Sequence, residues 1–256
     1  MLKREKINIV WLKRDLRTQD HEPLHRAEQS KLPYIIIYIF EPTLIEYPDT
    51  SLRHLQFCYH SIKAMNYTLD KVGRKIEIFY AEAIDVFRYL NGEFHINKIF
   101  SHQESGTRIT WDRDKTIKVF CEKHDILWNE SQRDGIIRGI KNRDQWDKRW
   151  HATMHRPIIR NQFSQCTLNV ISHPFKLTSE FKKSLEEYPN QYQPAGEYNA
   201  WRYLKSFAAG RGFNYQRHIS KPKESRLSCS RMSPYLAWGN ISIKQVFQFV
   251  GTHPNG

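Results

Sequence analysis

The 256-residue sequence predicts an α/β fold: a doubly wound sheet of five parallel strands, followed by the first helices of an all-α region. Three observations predict it. Five short runs rich in β-branched and aromatic residues lack a polar face, as strands covered on both sides require. The stretches between them carry apolar residues at three- and four-residue steps, the mark of crossover helices. After residue 129 the strand signal fades and only helical spacing remains.

The predicted strands are 7–11, 34–40, 76–80, 98–101 and 126–129. Between the second and third, Leu52, Leu55, Tyr59, Ile62 and Leu69 form one apolar helix face, with Ser51 as N-cap and Gly73 just past the end. A short helix is expected over 82–90 and a longer one over 111–123, with Ile117, Phe120 and Cys121 inward. Strands alternating with helices imply parallel pairing through right-handed crossovers, in the order 3-2-1-4-5. Beyond the sheet, 143–154 and 197–209 read as helices. The polar stretch 164–194 between them reads as a linker on the surface, and 241–249 as a last helix capped by Ser242. The resulting division is 1–130, 131–194 and 195–256.

Composition narrows the class. Lys and Arg number 40 against 27 Asp and Glu, a net charge of +13 that attracts polyanions; a solvated basic surface is the plainer alternative. No apolar run approaches the roughly 20 residues a membrane-spanning helix needs. An aromatic content of 13% excludes a disordered chain. Cys58, Cys121, Cys166 and Cys229 form neither a disulfide framework nor a metal-binding spacing. The opening MLKREKINIVWLKRD has no apolar core or cleavage site of a signal peptide, so a reduced cytoplasmic monomer is expected.

In an open α/β sheet, ligands sit beyond the carboxyl ends of the strands where the strand order reverses. For this order the crevice opens after strands 1 and 4, bringing 11–17 (Trp-Leu-Lys-Arg-Asp-Leu-Arg) beside 101–106 (Ser-His-Gln-Glu-Ser-Gly). Both loops suit an anionic or heteroaromatic ligand, unless Lys13, Arg14 and Arg17 simply pair with Asp15 and Asp20. No glycine-rich dinucleotide or P-loop pattern follows strand 1. The stretch 230–242 places serine hydroxyls and amides ahead of Pro234 at a helix start, an arrangement suited to phosphate oxygens or to a plain capped corner. His151 and His155 have a spacing that can ligate metal, but Arg149 and Arg156 oppose a cation and no metal is expected.

These residues together resemble the cryptochrome/DNA photolyase family. Val10 to Arg17 followed by Asp20 is similar to its W-F-R-R-D-L-R-x-x-D signature, with Leu12, Lys13 and His21 as departures. Gly196, Glu197, Ala200, Leu204 and Phe207 resemble the helix that opens its flavin domain, and 230–242 resembles T-S-x-L-S-P-Y-L-x-F-G-x-I-S. The segments His102 to Gly106 and Asp144 to Pro157, with Trp146, Trp150 and Met154, are similar to a bacterial cryptochrome-like branch.

The resemblance implies a Rossmann-like antenna domain (1–130), a linker (131–194) and the opening of a helical FAD domain (195–256). It implies FAD contacts at Tyr215, Cys229, Ser230, Met232 and Ser233, with Cys229 weaker than the usual Thr because a thiol donates poorly. It also implies an antenna chromophore, methenyltetrahydrofolate or a deazaflavin, near Lys13, Arg14, His102 and Glu104. The implied activity is blue-light repair of pyrimidine dimers in DNA by a carbon–carbon lyase, or blue-light sensing without repair. Family members continue well beyond the serine motif. The chain is therefore expected to be an inactive fragment without catalytic residues of its own, whose residues 195–256 are poorly ordered alone or expose an apolar patch.

Overall fold

The computed structural model describes residues 4–165 and 171–254; Cys166 lies outside the described residues. Five strands, β1 (Lys6–Leu12), β2 (Tyr34–Phe40), β3 (Ile76–Tyr80), β4 (His95–His102) and β5 (Leu127–Ser131), pair in the order β3-β2-β1-β4-β5. Every pairing is parallel; Val10 of β1 lies between Ile36 of β2 and Phe100 of β4. The two-residue period of a strand divides these runs between two cores. Ile7, Ile9, Trp11, Ile35, Ile37 and Ile39 face one side, Val10, Leu12, Ile36, Tyr38 and Phe40 the other.

The first core is covered by α4 (Ala83–Glu93) and α5 (Arg108–Lys123) through Val86, Phe87, Leu90, Ile117 and Phe120. The second is covered by α1 (Glu22–Gln29) and α3 (Leu52–Leu69) through Leu24, Ala27, Cys58, Tyr59, Ile62 and Leu69. Ser51 caps α3 in a reciprocal box with His54, and Gly73 turns left-handed (φ +69°) after it. Leu52, expected inward, is 47% exposed because the first turn of α3 projects past the sheet. Helix α1 buries only Pro23, Leu24 and Ala27, too few apolar positions to show a period. Between β2 and α3 lies one turn of helix, α2 (Pro42–Ile45).

After β5 come α6 (Trp146–Met154), α7 (Ser179–Glu186) and α8 (Glu197–Ser206). The stretch 164–194, read as a surface linker, instead completes both cores. Ile171 is buried in the first; α7 lays Phe181 and the fully buried Leu185 on the second. Those two residues are four apart, one helix face, and Thr178 caps the turn by accepting from the Phe181 amide. Short helices α9 (Tyr215–His218), α10 (Pro222–Ser228) and α11 (Ser233–Ala237) lead to α12 (Ile243–Thr252). Helix α8 passes into a π turn over Phe207–Arg211, which carries the helix through the expected 209 before the backbone leaves helical geometry at Gly210.

A third core joins this helical part to α3: Ala200, Leu204, Met232, Tyr235 and Ile241 pack around Phe57. The loop after β1 is the other junction. The Leu16 amide donates to the Trp238 carbonyl (3.0 Å), and Asn240 Nδ2 returns a bond to the Leu16 carbonyl (2.8 Å). Thr18 gives its amide and hydroxyl to Glu197, and the N-cap Ser242 gives its hydroxyl to Asp20. Gly239 (φ +70°) sits so close that a Cβ there would lie 2.3 Å from the Arg14 carbonyl. The exposed large apolar residues of this part are Tyr198, Phe213, Tyr215, Ile219, Leu227 and Val250, whereas Ile241, Val246 and Phe249 pack into the third core. Among the described residues no helix is long and apolar enough to cross a membrane.

Candidate functional site

Where β1, β2 and β4 end, a crevice of about 430 Å³ opens at the reversal of strand order. Trp11, Tyr38, Phe40 and Trp238 supply aromatic walls, and Leu44, Ile45 and Leu55 from α2 and α3 close the side beyond β2. Lys13, Arg14 and Glu104 stand in its lining, as expected. A flat conjugated ligand gains stacking area in such a space, while its polar edges meet a few oriented charges.

Those charges are wired to each other. Arg113 on α5 bridges Glu41 (2.8 Å), Glu104 (2.6 Å) and Asp114 (2.9 Å), while Arg14 pairs with Glu104 at 3.1 Å and lies 5.0 Å over the Trp238 ring. Burial opposes the charge on Arg113, but its three carboxylates more than restore it and raise its pKa. The Lys13 ammonium turns from the crevice to Asp114 (3.0 Å) and rests 4.3 Å over the ring of Trp11; burial holds its pKa below the usual lysine range. Burial also opposes ionisation of Glu104, and Arg113 and Lys13 overcome it, so this carboxyl stays low. Glu41 goes the other way, burial outweighing Arg113.

His102 does not line the crevice. Its Nδ1 lies 2.7 Å from Asp15 Oδ2, which also faces His21 Nε2 at 3.1 Å, all three side chains being buried. His21 Nδ1 accepts the Leu24 amide as cap of α1, so its proton sits on Nε2, toward Asp15. Burial pushes His102 down to about 3, while burial of Asp15 is overcome by the two histidines, which hold its carboxyl well below its usual range. A neutral imidazole donating to a carboxylate is a strut between β1, β4 and α1. The three ligand atoms lie within 4.8 Å of one another; His102 Nδ1 hydrogen-bonds to Asp15, while His21 Nε2 is buried beside it without a hydrogen-bond partner among the described residues.

The serine stretch forms a second corner. Cys229 ends α10, Arg231 adopts a left-handed backbone (φ +58°), Met232 is right-handed (φ −80°, ψ −15°), and Ser233 begins α11. Successive left- and right-handed residues aim consecutive amides into one concavity, a backbone nest for an anion. The amides of Ser230, Arg231 and Ser233 donate to no group among the described residues. Met232 itself points into the third core, and its amide donates to Ser230 Oγ at 3.4 Å. Tyr215 opens α9, edge-on to Phe207 at 5.9 Å, and no hydrogen bond or ring contact joins it to residues 229–233 among the described residues. The same segment reaches back to the crevice, since Trp238 follows α11 directly.

The family model described as DNA photolyase matches residues 8–141, more than half of the chain. The chain belongs to the DNA photolyase family. It is 30% identical over 101 residues to cryptochrome DASH of Synechocystis, covering 38% of this chain and 21% of that protein. It is 22% identical over 255 residues to the deoxyribodipyrimidine photo-lyase of Buchnera aphidicola, covering 93% of this chain and 52% of the relative. The archaeal photolyase of Sulfolobus tokodaii, whose crystal structure holds two FAD molecules, superposes with a TM-score of 0.76 at 19% identity. That match covers 97% of this chain and 55% of the archaeal one, and it establishes the shared fold. The chain thus spans about half the length of the curated photo-lyase and the solved photolyase it matches.

In this photolyase-family crevice, sequence spacing missed two contributions. Tyr38 and Phe40 reach it from the end of β2, and Arg113 reaches it from the second turn of α5. The signal for the first pair was the break at Pro42 immediately beyond β2; nothing local marks Arg113. The turn at 230–233 was read as suited to phosphate, but not its left-handed residue at Arg231, because a non-glycine left-handed residue carries no reliable sequence signature.

Proposed function

We propose that this chain holds a light-absorbing antenna in the crevice and presents the 229–233 turn to the pyrophosphate of FAD, within a photolyase that repairs pyrimidine dimers in DNA under blue light. The observation that carries the reading is the segment 230–238. One end of it forms a nest of unpartnered amides flanked by Ser230 and Ser233, and the other places Trp238 in the aromatic crevice. Two planar cofactors held at the ends of one short segment suit passage of excitation energy. The crevice fits methenyltetrahydrofolate, a deazaflavin or a second flavin by its aromatic walls and its polar rim, Arg14 and Glu104. Bound reduced FAD supplies the electron that opens the dimer. The residues of this chain orient the cofactors: Ser230 and Ser233 donate to phosphate oxygens, and the Trp238 ring shields the antenna from water. The excess of cations draws the DNA backbone, with a strength that falls as salt rises.

The test is spectroscopic and then catalytic. Chain titrated with FAD or with candidate antennae is expected to take up one equivalent of each, and Trp238→Ala to lose the antenna alone. Blue-light loss of cyclobutane dimers from an oligonucleotide, absent in the dark, supports repair. Failure to bind any of these chromophores overturns the proposal. The 30% identity to cryptochrome DASH favours one alternative, a light sensor, in which the bound flavin is photoreduced and dimers persist.

A further inference from the structure

The buried cluster of Asp15, His21 and His102 takes no part in the crevice or in the nest. Its members come from three places: the loop after β1, the N-cap of α1 and the end of β4. Asp15 Oδ2 lies 2.7 Å from His102 Nδ1 and 3.1 Å from His21 Nε2, and the three atoms lie within 4.8 Å of one another. The other carboxylate oxygen, Oδ1, accepts the Lys13 amide at 2.7 Å, which fixes the group. Internal hydrogen bonds leave one member unexplained. His21 is fully buried, yet its Nε2 has no hydrogen-bond partner among the described residues. A buried ring nitrogen without a partner is rare and costly unless something fills the space it faces.

Two imidazoles and one carboxylate are a ligand set that zinc accepts, with bonds of about 2.0–2.2 Å and a fourth position for water. Tetrahedral bonds of that length hold ligand atoms about 3.3 Å apart, so both contacts to the Asp15 oxygen need to lengthen by only a few tenths of an ångström. Each neutral ring then moves its proton to the nitrogen away from the metal. In His102 it passes from Nδ1 to Nε2; in His21 it passes from Nε2 to Nδ1, at the loss of the 3.2 Å bond from the Leu24 amide. No proton leaves overall, because Asp15 is already ionised beside its histidines. The opposing charge is the buried Arg17. Its guanidinium is turned to the carbonyls of Asp20 and Gly239, so it weakens a cation here without occupying the space.

We propose that Asp15, His21 and His102 bind one zinc ion, which ties the loop carrying Lys13 and Arg14 to β4 and α1. None of the three lines the crevice, so the role of the metal is structural. Neither chromophore nor DNA enters this binding, and it stands or falls apart from the photochemical reading. The probe is Co²⁺, whose visible absorption reports tetrahedral coordination, added to the full chain after stripping with a chelator and then displaced by Zn²⁺. The expected result is one equivalent bound with micromolar affinity, and a thermal midpoint that rises with Zn²⁺ concentration. His21→Asn, which keeps an acceptor for the Leu24 amide, and His102→Gln each weaken binding by about a hundredfold or more. His151→Ala with His155→Ala, which removes the exposed pair on α6, leaves affinity within about twofold. Three results overturn the proposal: no stoichiometric metal on the wild-type chain (a hydrogen-bonded strut only), unchanged affinity in both ligand variants, or an equal loss in the α6 pair (a surface site only).

Discussion

Around the crevice each lining cation has its carboxylate: Lys13 faces Asp114, the half-buried Arg14 faces Glu104, and Arg113 spans Glu41, Glu104 and Asp114. In an open cleft beside Tyr192 four arginines, Arg202, Arg211, Arg226 and Arg231, meet with no carboxylate among the lining groups. The two regions are close to opposites in how they handle charge. The crevice satisfies its own polar groups, so a ligand there gains mainly from stacking and exclusion of water, and its walls are shaped in advance. The cleft keeps its exposed cations unpaired, which costs little in water and leaves them available to an anion. Removing an exposed charge therefore spares the fold in the second region, whereas removing a paired one damages it in the first.

The largest effect is expected where both regions share a support. Gly239→Val adds a Cβ against the Arg14 carbonyl at a left-handed position, and stability falls by about 4 kcal/mol or more in urea titration, with residues 195–254 becoming sensitive to protease. Retention of wild-type stability would show that the junction is looser than its hydrogen bonds imply. Next is Arg113→Met, which strands the buried Glu41, leaves Glu104 with Arg14 alone and costs about 3–5 kcal/mol. Part of that loss returns at low pH, as the orphaned carboxyls protonate.

Acid itself has a signed effect. His102 titrates near 3 in the folded chain against about 6.5 unfolded, so between those values only the unfolded state takes the proton. Its contribution is complete above pH 6.5 and is lost as pH falls, by about 1.4 kcal/mol per unit once well inside the window. His173, pushed down to about 4 by burial, adds to the same slope. Asp15, held low by its histidines, contributes in the same direction only at still lower pH. Urea midpoints at pH 7, 6 and 5 should decline, and more gently in His102→Gln; an unchanged slope in that variant would mean that His102 is charged when folded. Ser242→Ala removes the cap of α12 and a partner of Asp20, for about 1–2 kcal/mol by the same titration. Arg226→Ser completes the contrast, with a change in stability within about 0.5 kcal/mol.

Much of the sheet was legible because buried parallel strands leave unbroken apolar runs, and 34–40 (Tyr-Ile-Ile-Ile-Tyr-Ile-Phe) admits no other reading. The crevice was placed by the same logic, since the strand order alone puts it beyond β1 and β4. His102 was misjudged because a residue at a strand end can point either into the crevice or back to a neighbouring loop. The choice rests with Asp15 and His21, which are distant in sequence. The stretch 164–194 was misjudged because its apolar residues are sparse. Phe181 and Leu185 look incidental until the edge of the sheet that needs covering is present.

The amino-acid order on its own set the α/β architecture, the capped ends of α3 and α12 and the place of the ligand crevice, because each follows from local period, local caps or chain connectivity. Tertiary structure alone decided which charges neutralise one another and which stay free. Arg113 and Arg226 are the same residue type on helices, yet only the folded chain brings three carboxylates to the first and none to the second. Electrostatic pairing acts through a few ångströms of space, and those distances do not exist until the chain has folded.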